Sequence, residues 1–260
     1  MKLCVILTLV LPVTSQALAG AHLPKGGPSG AQDASQKQKG DEISAILERI
    51  KSRLPAERRE AIDQLAEAGD PRGVEPLIAA LKDQEGDVRA SAANALGQLA
   101  DKRAVVPLIS MLNDEVSFVR AAAARVLGQL GDARGVEPLT GALKDGNSTV
   151  RGAAAMGLGS LKEGRAVSAL ISAVRDEAPD VRSAVAAALG DLRDKQAVAP
   201  LIQTLRDEYR MVKLAAALAL ADIGDKSAVT ALNEAIANEK DEETRSQMKE
   251  ALQRLMASPD

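Results

Sequence analysis

The sequence predicts an all-α fold, an α-solenoid of about seven helical hairpins, on three observations. Asp70, Asp101, Asp132, Glu163, Asp194 and Asp225 recur at one unbroken interval, each thirty-one positions after the last, the mark of a repeat array. Within each unit the apolar residues recur at helical rather than strand spacing. The chain is 46% hydrophobic yet has one Phe, one Tyr and no Trp, so its core must be built from aliphatic side chains and alanine.

Taken in order, the chain opens on Met1, Lys2 and an apolar run from Leu3 to Val13 that Pro12 interrupts. This run is far shorter than the ~20 residues that span a bilayer. The small residues that follow suit cleavage after Ala19, or after Ala21, so residues 1–19 read as an export signal. Cys4, the only cysteine, lies inside it. The mature chain is therefore expected to carry no thiol, disulfide or cysteine metal ligand, and no cysteine stands at the cleavage site to take a lipid. Export to the periplasm or to the medium of a bacterium follows, with no membrane attachment after cleavage.

Residues 20–40, GAHLPKGGPSGAQDASQKQKG, are rich in Gly, Ser, Gln and Lys and read as a flexible tether. They hold His22, the only histidine. From residue 41 to 256 the chain is repetitive, with a degraded cap at 41–69, five full repeats at 70–224, a second cap at 225–256 and a tail at 257–260. DPRGVEPLIAALKD, from Asp70, recurs as DKRAVVPLISMLND and DARGVEPLTGALKD, and VRASAANALGQL, from Val88, recurs as VRAAAARVLGQL.

The first half of each unit predicts a helix A with Val74, Leu77, Ile78 and Leu81 on one face. Pro76, Pro107, Pro138 and Pro200 fall near its start, where a missing amide proton costs little. The second half predicts a helix B burying Val88, Ala92, Leu96 and Leu99, its alanines allowing close approach. Gly131 and Gly224, each followed by Asp, predict a helix stop and the next N-cap. One unit buries roughly 10 kcal/mol of aliphatic surface against an ordering cost of roughly 1.5 kcal/mol per residue. No unit stands alone, so neighbours must supply the missing contacts.

The unit D-x-R-x-V-x-P-L-I-x-x-L-x-D, followed by V-R-x-x-A-A-x-A-L-G-x-L-G-D, resembles the HEAT-like repeat associated with phycobilisome lyases, over about residues 41 to 256. The resemblance implies a ladder in which a turn Asp and a basic residue six positions later pair along the solenoid: Asp83 with Arg89, Asp114 with Arg120, Asp145 with Arg151, Asp176 with Arg182, and Asp207 with Lys213. Each carboxylate is expected to cap helix B and to pair partly within its repeat and partly across to the next. Lys213 departs from the pattern and loses the planar fork.

The resemblance also raises enzymes, and the residues argue against each. Deoxyhypusine hydroxylases bind iron through His-Glu pairs, and the one histidine here lies outside the repeats. No constellation suits phycobilin lyase chemistry, and no aromatic platform or basic excess suits a HEAT-like DNA glycosylase. With one histidine and no mature cysteine, no Ser-His-Asp or Cys-His set exists. Gly157 and Gly159 imitate part of a phosphate loop but lie on helix B, where packing explains them. Asn147, Ser148 and Thr149 form a glycosylation sequon that has meaning only in a eukaryotic secretory pathway. The net charge of −3, −4 without Lys2, gives no nucleic-acid footprint. We therefore expect no catalytic residue, cofactor or metal, and an interaction scaffold for a protein or peptide. An enzyme accessory and a structural subunit of an envelope complex are the competing readings.

In HEAT-type solenoids the helix-B stripe opposite the core lines the concave surface. Here that stripe starts at Asp87, Phe118, Thr149, Asp180 and Met211 and continues through Asn94, Arg125, Met156, Ala187 and Leu218. Tyr209, Met211, Leu214 and Leu218, extended by Phe118, Arg125 and Met156, form the expected apolar seat for the partner.

Overall fold

The computed structural model describes residues 30–258, so the expected export signal at 1–19 and the first half of the expected tether lie outside the described residues. Contacts divide the chain into two units, at residues 1–40 and 41–260.

Fourteen α-helices, and no strand, occur among the described residues. The A helices are α1 (Gly30–Arg49), α3 (Val74–Ala80), α5 (Val105–Met111), α7 (Val136–Ala142), α9 (Val167–Ala173), α11 (Val198–Thr204) and α13 (Val229–Asn238). The B helices are α2 (Pro55–Ala68), α4 (Gly86–Leu99), α6 (Ser117–Leu130), α8 (Ser148–Leu161), α10 (Pro179–Leu192), α12 (Arg210–Ile223) and α14 (Glu242–Ala257). The all-α solenoid of seven hairpins is thus the observed architecture.

One boundary differs from expectation. Residues 30–40, read as tether, belong to α1. The reading leaned on the lack of apolar side chains, but Ala, Gln and Lys are good helix formers whether or not a face is buried.

Each A helix from α3 to α13 is entered through a single 3₁₀ turn. Asp70, Asp101, Asp132, Asp194 and Asp225 cap these turns, each carboxylate accepting the backbone N–H two residues on. The prolines take the third position of the A helix, inside the first turn. Each full B helix ends on a left-handed residue. Gly131 and Gly224 serve as expected, with φ of 63° and 77°, but Ala100, Lys162 and Arg193 adopt the same conformation at 52–53° without the help of glycine.

Leu77 and Leu96, Leu108 and Leu127, Leu139 and Leu158, Leu170 and Leu189, and Leu201 and Leu220 are fully buried, one from each helix of a repeat. Each contributes roughly 2 kcal/mol of transfer free energy. Ile78 and Leu99 are only half-buried at the edge of this core.

The B helices pack directly on one another, while no A helix makes a comparable contact with the next A helix. Glycine makes the close approach possible. A Cβ on Gly128 would lie 2.5 Å from the Gly157 Cα, and one on Gly159 would lie 2.9 Å from the Ala188 Cα. Packing accounts for the Gly157 and Gly159 pair.

Candidate functional site: the ladder and the exposed helix-B stripe

Two sets of polar and apolar groups line the B helices, and only one of them is committed to the framework. The committed set is the ladder. Arg89 donates from Nε and Nη2 to both oxygens of Asp114 at 2.7 and 2.8 Å, and from Nη1 to the Asp83 main-chain carbonyl at 2.8 Å. Arg120 holds Asp145, Arg151 holds Asp176 and Arg182 holds Asp207 in the same way.

This corrects the pairing expected inside each repeat. The carboxylate partner lies 25 residues on, in the next repeat, and the residue six positions earlier offers only its carbonyl. A guanidinium reaching back to its own turn would find the carboxylate already engaged by the preceding arginine. The capping role is corrected too. Each ladder carboxylate accepts the N–H two residues on, as Asp83 does from Glu85 at 2.9 Å, and so shapes the turn ahead of helix B rather than capping its amides. In α8 the capping falls to Asn147, whose Oδ1 accepts from Thr149 and Val150.

Arg58, within the degraded first cap, is the ladder's first guanidinium and grips Asp83 at 2.6 and 2.7 Å. Sequence reasoning missed it because Ser52 occupies the position where the other repeats carry Asp. At the far end Lys213 pairs with the buried Glu239. Arg245 donates to the Glu239 carbonyl at 3.2 Å, which shows that the last repeat carries the motif with one residue inserted.

Hydrogen bonds from Arg120 and Arg151 hold Asp145 and Asp176 below the ordinary carboxylate range, against burial, which acts in the opposite direction. At Asp83, Asp114 and Asp207 burial is the largest single influence and raises the pKa, but the arginine and backbone hydrogen bonds together outweigh it.

The uncommitted set is the stripe. Phe118, Met156, Met211 and Leu218 are exposed by 48, 57, 59 and 37%, where equivalent positions carry Asp87, Asn94, Thr149, Asp180 and Ala187. Phe118 lies over the start of α4 against Gly86. Arg125 is exposed and donates to Asn94 Oδ1 of the preceding B helix at 2.6 Å.

Two of the expected seat residues stand elsewhere. Leu214 is half-buried and packs on the core. Tyr209 is exposed but sits at the N-cap of α12, off the stripe, with the Arg182 guanidinium 5.5 Å from its ring centre. No group of three or more His, Cys, Asp or Glu side chains placed to hold a metal ion occurs among the described residues, and no described helix is long and apolar enough to cross a membrane.

The repeat geometry has parallels among solved structures. The complex of CpcE and CpcF of phycocyanin lyase from Nostoc sp. PCC7120 aligns with 94% of this chain and 95% of its own, at 23% identity and a TM-score of 0.56. A Kap95p and RanGDP structure aligns with 86% of this chain and 37% of its own, at 14% identity and a TM-score of 0.66. An engineered protein aligns with 84% of this chain and 69% of its own, at 23% identity and a TM-score of 0.55. At these identities the likeness is one of fold. No curated protein matches the sequence. The family model for HEAT repeats matches residues 43–127, 107–189 and 167–253 in overlapping segments, and the chain belongs to the HEAT repeat family.

Proposed function

We propose that this protein is an exported, non-enzymatic scaffold that docks a protein or peptide on the exposed stripe of its B helices, in the periplasm or outside the cell. The observation that carries the reading is the set of large apolar side chains, Phe118, Met156, Met211 and Leu218, on a face whose sibling positions are small or polar. Burying a Leu or Met side chain against a partner contributes about 1.5–3 kcal/mol, and all four leave a large part of the side chain exposed in the free protein. The apolar run at Leu3 to Val13 and the small residues up to Ala19 support export.

The residues that support a seat are Phe118, Arg125, Met156, Met211 and Leu218. Leu214 and Tyr209 act on packing and on the ladder. A Met211→Asp, Leu218→Asp double variant is therefore the appropriate probe, since neither residue belongs to the core. In-cell crosslinking followed by mass spectrometry should recover a partner with the unaltered chain and lose it with the variant, whose melting temperature stays the same. A variant that keeps the same crosslinked partner refutes this face as the seat.

A further inference from the structure

Reading the stripe through all seven B helices, caps included, brings out its charge. The same positions in α2 are Glu60, Asp63 and Glu67, and α4 adds Asp87. Beyond the central helices α6 and α8, the positions in α10 and α12 include Asp180, Asp191 and Asp222, and those of α14, shifted by the inserted residue, include Glu243 and Glu250. Against these carboxylates the stripe carries only Arg125 and Arg254. The chain as a whole is only −3, so the rest of the molecule is net cationic and the negative charge is gathered on this face.

Most of these carboxylates are not consumed internally. Asp63, Glu67, Asp180, Asp191 and Glu250 have no Lys or Arg partner within 4 Å among the described residues, whereas every ladder carboxylate has one. The middle of the stripe, on α6 and α8, holds Phe118 and Met156 and no carboxylate. The resulting pattern is an apolar centre with an acidic flank on either side.

Resting on the docking role proposed above, we infer that the partner is a cationic amphipathic protein segment: an apolar face for Phe118 and Met156, and Lys or Arg clusters at both ends. The spacing follows from the fold. Packed helices lie 8–10 Å apart, so α4 and α10, three steps apart, are separated by roughly 24–30 Å. A helix rises 1.5 Å per residue, which sets the two basic clusters about 16–20 residues apart in a helical partner. Complementary charge over such a face accelerates encounter and makes binding salt-dependent, while the apolar centre supplies salt-resistant affinity.

The test uses the full chain and three fluorescent 20-residue amphipathic peptides that share one Leu and Ala face but carry Lys, Gln or Glu at both ends, read by anisotropy. The Lys peptide should bind at least tenfold more tightly than the Gln peptide in 50 mM salt, lose that advantage in 0.5 M salt, and leave the Glu peptide weakest. An Asp180→Lys, Asp191→Lys variant should erase the Lys preference and keep the Gln peptide's affinity. Equal binding of the Lys and Gln peptides overturns the charge assignment and leaves the docking role standing. Lys-peptide binding that survives Phe118→Asp, Met156→Asp unchanged overturns the docking role as well, since it reports adhesion by charge alone. Failure of all three peptides to bind overturns both.

Discussion

Arg151 and Met156 stand a single turn and a half apart on α8, and they obey different rules. The Arg151 side chain is 8% exposed, forks onto both oxygens of Asp176 and reaches back to the Asp145 carbonyl. Met156 is 57% exposed and sits away from the core. One side chain joins two repeats, and the other stays mostly exposed. Along the array the residues that repeat every unit join neighbouring repeats through the ladder, while the large apolar side chains that vary at the stripe stay substantially exposed.

Removing the fork should give the largest effect. Arg151→Ala leaves the Asp176 carboxylate enclosed without its cation, a change of about 3–5 kcal/mol for a buried pair, and Arg151→Lys should recover part of it with one charge-assisted bond. The carboxylates' depressed folded-state pKa values add a sign. Their contribution is fully present above the unfolded value, near 3.8, and is lost as pH falls below it through the lower folded values. Urea unfolding should therefore show a midpoint that is flat from neutral pH to about 5 and falls steeply below 4, with a shallower fall in Arg151→Ala. A midpoint unchanged by Arg151→Ala would end the assignment of stability to the ladder.

Gly128→Ala should come next. The new methyl meets the Gly157 backbone at 2.5 Å, and forcing α6 from α8 should cost about 1–3 kcal/mol. The smallest effect belongs to the stripe. Met156→Ser should move stability by no more than about 0.5 kcal/mol. A loss above 1 kcal/mol would erase the distinction between the two sets of residues.

Much of this was legible in the sequence, for reasons that also explain what was not. The constant interval between units and the stripe of Val74, Leu77 and Leu81 are periodic facts, and periodicity fixes helices and their buried faces. Pairing does not follow from periodicity. Asp83 lies six residues before Arg89 and Asp114 lies 25 after it, and both intervals recur in every unit, so only the stacking of one hairpin on the next tells which carboxylate is reached. Leu214 shows the same limit, since the repeat interval alone does not tell that it packs half-buried on the core. The left-handed stops at Ala100, Lys162 and Arg193 carry no glycine to announce them. They hold a conformation costing about 1–2 kcal/mol because the helices on either side leave the chain no other route. Among the stripe residues, exposure at Phe118, Met156, Met211 and Leu218 followed from register alone, whereas the acidic flanks emerge only when the degraded caps are aligned with the full repeats.

The ladder does not recognise which repeat it joins. Each guanidinium finds whatever carboxylate lies 25 residues further along, and every full unit presents the same turn to its neighbour. Excision of one whole unit, from 132 to 162, would bring Asp176 to the place of Asp145 before Arg120, with the joint unaltered. A gene encoding such a chain can gain, lose or shuffle whole units by recombination while the fold heals across each seam. Only the order of side chains along the stripe would record the event, so length and exposed stripe are free to evolve by exchange of intact parts.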